Sequence, residues 1–376
     1  MPEVYRSVRP DNLPPDYTYQ AFSNRVARTP LPPKKTLRTT PEGPVSKEWK
    51  VQLTLGQRKA LVNGVELWLC EPAVAAKNAK PAKGAKGKGP AIIAGETDRN
   101  LTLGPLLHAP TNAYVRTARP PRIMIDPGHG GLDSGATRGK TRESTIALDI
   151  ARRLSSYLAL SGFEVRITRP NDKTAVALEE RCLQATSWPA DLFVSIHLNS
   201  GPAAAAGIET YAIPPAGQLS TENATRGTVT AADREAAKKI EAGNAHDADN
   251  IRLAWCIHRR LAAATGRKDR GIRRARFVVL RESTVPAVLV EVGFLSNESD
   301  AAFLTTVSGR EKAAIGLCRG IMDFCAGHIS PEHPALPIGT ETKPVVPVGA
   351  AKRDARPAPM PPPKPPVAKP EGEPSK

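Results

Sequence analysis

His129, Glu143 and His197 are the residues of this chain whose types combine into a reactive centre. His129 lies in IDPGHGGLDSGA, which begins at Ile125, and Glu143 opens the helix-like run ESTIALDIARRL. His197 ends an apolar run in FVSIHLNS. Two imidazoles and one carboxylate are the ligand set of a catalytic zinc site, which keeps a fourth position for water. A further acidic residue, Glu291, ends another apolar run in AVLVEVGFLSN. The chemistry to test is metal-assisted hydrolysis.

Taken singly, each residue has an ordinary explanation. A histidine after a strand is more often a hydrogen-bonded loop residue than a ligand. Glu143 would complement a helix dipole at any helix start, and Glu291 could be a satisfied carboxylate at a strand end. Convergence strengthens the chemical reading. A carboxylate flanked by VLV and VGF is also costly to bury without a partner.

The elements that must bring these residues together can be traced along the chain. RIMID is a short apolar strand running into a Pro-Gly turn. Ile146, Ile150, Leu154 and Leu158 recur at four-residue spacing and give one apolar helical face, which Gly162 ends. FEVRIT is the next strand, LEERCLQATSW a helix, and DLFVSIH and GIETYAI are strands. A polar stretch from Pro214 to about Asn250 precedes the helical IRLAWCIHRRLAAATG. RFVVL and AVLVEVG are expected as the last strands, with a closing helix over 311–328. The alternation predicts an α/β fold, a central mostly parallel sheet with helices on both faces. Reactive groups in such sheets gather beyond the carboxyl ends of the strands. His129, His197 and Glu291 all fall there, and Glu143 starts the helix that leaves the same edge. Glycines 128, 130 and 131 let the backbone turn tightly around His129.

The flanks differ in character. Residues 1–45 are polar and proline-punctuated and are expected to be disordered. Over 46–118 a small β-rich module is expected, because VQLTL and VELWLC alternate and Asn63-Gly64 is a hairpin signal. KNAKPAKGAKGKG interrupts it as a flexible basic insertion. The catalytic domain then spans 119–328, and 329–376 is a Pro-rich tail with a polyproline bias. RNLTLGPLLHAP is an ordered connector in which His108 is structural. Of the net charge of +16, +10 belongs to residues 1–119, +4 to 120–328 and +2 to 329–376. A basic arm of this kind suits an anionic surface or a solvated linker equally. The balanced middle and an aromatic content of only 5% argue against specific nucleic-acid binding, since few stacking platforms exist. The 5 cysteines form no CxxC pair and are expected as buried free thiols, which fits a reducing compartment somewhat better than an oxidising one. No signal peptide and no membrane-spanning stretch is legible.

The middle region resembles the zinc-dependent N-acetylmuramoyl-L-alanine amidases, the type-3 amidases of peptidoglycan. The resemblance runs from about Arg122 to Phe324. DPGHGGLDSGA, the glutamate of TRESTIALDIARRL, LSGFEVRITRPND, LEERCLQA, ADLFVSIHLNS, GIETYAI and VLRESTVPAVLVEVGFLSN occur in family order. It implies that His129, Glu143 and His197 bind Zn2+ and that Glu291 is the catalytic glutamate. It implies cleavage of the amide joining N-acetylmuramic acid to the L-alanine of the stem peptide. Peptidoglycan as substrate in turn implies the cell envelope, periplasmic or extracellular. Asn199 and Arg169 lie in family-like blocks and could support the site or merely the fold.

Two other readings use the same residues: a non-catalytic wall-binding protein that keeps the fold, and a zinc carboxypeptidase-like hydrolase, since the ligand set does not name the bond. The segment Gln218–Asn250 is long for a loop in a compact domain. In some members of the family a helix near this point covers the zinc until an activator displaces it. The competing expectation is a solvated surface loop.

Overall fold

The structure, a computed structural model, describes residues 49–76, 91–109, 119–225 and 228–329. The expected disordered segment over 1–45, the basic insertion and the Pro-rich tail beyond residue 329 lie outside these residues. The strands of the main sheet are β1 (Val51–Leu53), β2 (Lys59–Val62), β3 (Val65–Trp68), β4 (Arg122–Pro127), β5 (Glu164–Ile167), β6 (Leu192–Asn199), β7 (Ile208–Ala212), β8 (Asp269–Arg274) and β9 (Ala287–Phe294). Their order across the sheet is β1-β2-β3-β8-β7-β9-β6-β4-β5. The centre is parallel, with β6 between β4 and β9. Strand β7 runs antiparallel to β9.

Strict alternation along the central strands builds the two sides. Ile123, Ile125, Leu192, Val194, Ile196, Val288, Val290 and Val292 enter a large core cluster, whereas Met124, Phe193, Ala287 and Leu289 enter a smaller one. The large cluster is completed by helices α1 (Glu143–Leu160), α5 (Asp247–Thr265) and α8 (Val307–Cys325). Ile146, Ile150, Leu154 and Leu158 are all buried in it, as their spacing predicts. The smaller cluster is roofed by α2 (Leu178–Ser187) and the single turn α6 (Val278–Arg281). Each fully buried Val, Leu or Ile contributes roughly 1.5–3 kcal/mol of transfer free energy. Two more short helices, α3 (Thr221–Thr225) and α4 (Ala231–Lys238), lie in the polar stretch, and α7 (Glu298–Thr305) precedes α8.

One expected strand is replaced by a helical turn. RFVVL is not a strand: Val278–Arg281 is a helical turn that buries Val279 and Leu280, and the strand is the preceding DRGIRR of β8. A four-residue apolar run cannot be assigned by periodicity alone. DRGIRR hides its role because its polar side chains are satisfied by neighbours, as in Asp269, which accepts from His258 Nε2 at 2.9 Å. Before residue 119, Val74–Ala75 pairs with Ile92–Ile93 in a two-stranded sheet, while β1, β2 and β3 join the main sheet. Their hairpin turns at Asn63 and Gly64, with φ of 46° and 85°, the pair of left-handed residues a type I′ turn needs. Strand β3 then pairs in parallel with β8 through Leu67 and Ile272. Val62, Val65 and Leu67 belong to the large core, and Trp49 lies 5.5 Å from the buried Trp255. All 5 cysteines are free and buried. Among the described residues no helix is long and apolar enough to cross a membrane.

Candidate active site

Alternation along β6 and β9 decides where the site opens. His197 continues the series Phe193, Ser195, and Glu291 the series Ala287, Leu289, so both project on the thinly roofed side. They are register partners on adjacent parallel strands. His129 reaches the same place from the turn after β4, and Glu143 from the first residue of α1. His129 Nε2 and His197 Nδ1 approach one oxygen, Glu143 Oε1, at 3.1 and 2.9 Å. One ligand atom from each of the three residues lies within 4.8 Å of the others, a group able to hold a metal ion.

The surroundings orient His129 and Glu143. Asp133 Oδ2 lies 2.7 Å from His129 Nδ1 and fixes the ring orientation that points Nε2 at Glu143. The Glu143 carboxylate accepts from Leu198 N at 2.9 Å and from Ala136 N at 2.7 Å. Burial works to raise its pKa, but hydrogen bonds from both imidazoles and the Leu198 N–H outweigh it and hold the group at about 2. His129 is likewise opposed by burial, yet the carboxylates of Glu143 and Asp133 keep its pKa above the usual value.

The turn that carries His129 is strained and braced. His129 is left-handed, with φ 59°, a conformation uncommon outside glycine. Arg181 donates to His129 O at 2.9 Å and to Pro127 O at 3.0 Å. Arg169, fully buried, donates to Pro127 O, Gly128 O and Ser144 O at 2.9, 2.8 and 2.6 Å. It ties the turn to the first turn of α1 and so fixes His129 relative to Glu143. Gly128 is required by contact: a Cβ there would stand 2.2 Å from His197 Cε1.

Glu291 differs from the other three. Its Oε2 is sealed from solvent and has no hydrogen-bond partner among the described residues. Burial first, then the charges of Glu143 and Glu209, push its pKa well above the ordinary carboxylate range. Glu209 lies directly opposite on β7. It accepts from Arg270 Nε at 2.7 Å, Asn199 Nδ2 at 2.9 Å and the Tyr211 hydroxyl at 2.6 Å.

All four residues singled out in the sequence therefore meet at one edge. Asp126, Asp133, Arg181 and Glu209 were missed. Asp126 is fully buried and accepts from Arg181 Nη1, Ser195 Oγ and Thr168 Oγ1 at 2.8, 2.8 and 2.6 Å. The available signal was a charge inside an apolar strand, the Asp of RIMID and the Glu of GIETYAI. His108 lies outside the group.

The segment Gln218–Asn250 is not at this edge. Strand β7 carries the chain away from Glu291, and the segment is tied down where β9 begins. Asn250 Oδ1 accepts from Ala287 N at 2.8 Å, and His246 Nε2 lies 3.0 Å from Thr284 O. Gln218 Nε2 donates to Thr97 Oγ1, and Thr221 Oγ1 accepts from Arg274 N. Ala287 is four residues before Glu291, about 13 Å along a strand. The predicted helix in AADREAAKKIEAG exists as α4, but it does not cover the candidate metal ligands.

Comparison with known proteins is informative once this geometry is fixed. A family model described as N-acetylmuramoyl-L-alanine amidase matches residues 123–323. The chain is similar to the N-acetylmuramoyl-L-alanine amidase LytC of Bacillus subtilis (strain 168), 36% identical over 203 residues, covering 54% of this chain and 35% of LytC. It thus spans about a third of that relative. It is 34% identical over 224 residues to the uncharacterized protein YqiI of the same organism, covering 60% of this chain and 92% of YqiI. Among solved structures, the catalytic domain of CwlV, an N-acetylmuramoyl-L-alanine amidase from Bacillus (Paenibacillus) polymyxa var. colistinus, matches at TM-score 0.43 and 35% identity, covering 54% of this chain and 97% of that one.

Proposed function

The chain belongs to the N-acetylmuramoyl-L-alanine amidase family, and from that membership we propose that it hydrolyses the amide between N-acetylmuramic acid and the L-alanine of the peptidoglycan stem peptide. The observation that carries the reading is the placement of an unpartnered, buried Glu291 oxygen beside His197, at the edge where three ligand-type side chains converge.

The donor set suits zinc. His129, Glu143 and His197 would hold it, two imidazoles and one carboxylate, with His129 oriented by Asp133 and Glu143 by the Ala136 and Leu198 N–H groups. When bound, zinc supplies a Lewis acid that activates water and polarises the amide carbonyl. Glu291 takes the proton from the attacking water. It then delivers that proton to the departing nitrogen of L-alanine, since an amide does not expel its nitrogen without general-acid help. An elevated pKa suits both halves of this task, because the group must accept and return a proton near neutrality. Arg169, Arg181 and Asp126 hold His129 in place and touch no substrate.

The substrate sets the place of action at the cell envelope. An activator that engages Gln218–Asn250 would act from the far end of β9 rather than by lifting a cover.

The test is digestion of purified peptidoglycan by the parent protein and by Glu291→Ala, with zinc content measured in both. Release of stem peptides beginning at L-alanine by the parent alone supports the reading. Zinc retained by both with no peptide from either defeats it.

A further inference from the structure

Arg270 is the second residue of β8, two strands from Glu291 across the sheet. Its Nε donates to Glu209 Oε1 at 2.7 Å. Its guanidinium carbon lies 4.8 Å from the ring centre of Phe294, three residues beyond Glu291 on β9. These contacts fix both the position and the plane of the group. The side chain is 25% exposed, and its two Nη groups donate to no described residue. Four of the five guanidinium N–H bonds are therefore left for something else.

The adjacent carboxylate does not exhaust the charge. Arg273 Nη2 approaches the same Glu209 oxygen at 3.2 Å, and Tyr211 and Asn199 donate to the other. Two guanidiniums thus share the Glu209 carboxylate. Arg273 is turned away, with its guanidinium carbon 5.1 Å from the Trp68 ring centre. Arg270 is the member whose two Nη groups donate to no described residue.

We infer that Arg270 is a specificity determinant that receives a carboxylate of the stem peptide just beyond the scissile amide. This rests on the amidase reading of the site. Two strand spacings are about 10 Å, the reach of two or three residues of extended peptide. The residue after L-alanine in the stem is a γ-linked glutamate whose α-carboxyl is free in some walls and amidated in others. A planar fork with parallel N–H donors pairs with a carboxylate in a bidentate manner, and a carboxamide cannot reproduce that pairing.

The experiment compares N-acetylmuramoyl-L-alanyl-D-isoglutamate with the same compound carrying a carboxamide. Cleavage is followed in the parent protein, and equilibrium binding is measured in Glu291→Gln zinc protein with and without Arg270→Gln. The expected result is at least a tenfold preference for the free carboxylate in KM and in Kd. Arg270→Gln should bring that ratio close to one, with the change falling on KM and Kd of the free-carboxylate compound, and Arg270→Lys should give an intermediate ratio. Equal binding of the two compounds with Arg270 present, or a preference that survives Arg270→Gln, overturns the inference. Absence of cleavage together with an Arg270-dependent binding preference defeats the amidase reading and leaves the carboxylate site standing.

Discussion

His197 and Glu291 stand side by side, in register, on adjacent parallel strands. One offers a ligand nitrogen to the group that includes Glu143, and the other presents a carboxyl oxygen that no described residue satisfies. Strand pairing, rather than a flexible loop, sets the distance between the proposed metal ligand and the proposed proton carrier.

Glu291→Gln should lower amidase turnover by roughly 10²–10⁴, the usual worth of general acid–base catalysis, while zinc content is retained. In the metal-free protein the same change should be stabilising at pH 7. A carboxyl whose folded pKa is raised binds its proton more tightly folded than unfolded, so it costs stability once pH exceeds the unfolded value. The gain in melting temperature should therefore vanish as pH falls below about 4. A destabilised Glu291→Gln at neutral pH would contradict this.

Gly128→Ala should spare the fold and damage the centre. The added methyl would sit 2.2 Å from His197 Cε1 and 2.4 Å from Nε2, so the imidazole must rotate or shift. Zinc retained after dialysis should fall, and activity should drop at least tenfold, on the order of losses seen when metal ligands are misoriented. Unchanged zinc affinity would show that His197 is not held where the contact places it.

Arg181→Met should be strongly destabilising, by about 3–5 kcal/mol, because it strands Asp126 as a buried, uncompensated charge. Chemical denaturation measures this directly. Adding Asp126→Asn should recover part of the loss, which separates charge burial from lost packing.

Removal of metal by a chelator should abolish hydrolysis and lower the melting temperature, since a ligand bound only by the folded state stabilises it by mass action. Zinc added back should restore both. Hydrolysis that survives complete zinc removal would eliminate the assignment of His129, Glu143 and His197.

The central strands and α1 were legible because their apolar spacing is unambiguous, and the four reactive residues because each ends or begins such a run. Strand β8 was not, since Arg270, Arg273 and Arg274 look like solvated residues until their partners Glu209 and Thr102 are in place. The bracing of His129 was also invisible. Arg169 and Arg181 act mainly on backbone oxygens, and sequence spacing carries no trace of those. The position of Gln218–Asn250 depended on the antiparallel direction of β7, which no local pattern encodes.

The pairing of Leu67 with Ile272 bears on how the protein may be shortened. A chain trimmed to begin at Arg119 would keep every reactive residue and every turn that shapes the site. It would also lose β3, leaving the backbone amides and carbonyls on one side of β8 unpaired and Trp255 without its neighbour Trp49. Such a bare margin invites strands from other molecules. Strands β1, β2 and β3 thus act as a selvedge, finishing the sheet so that it does not fray into its neighbours.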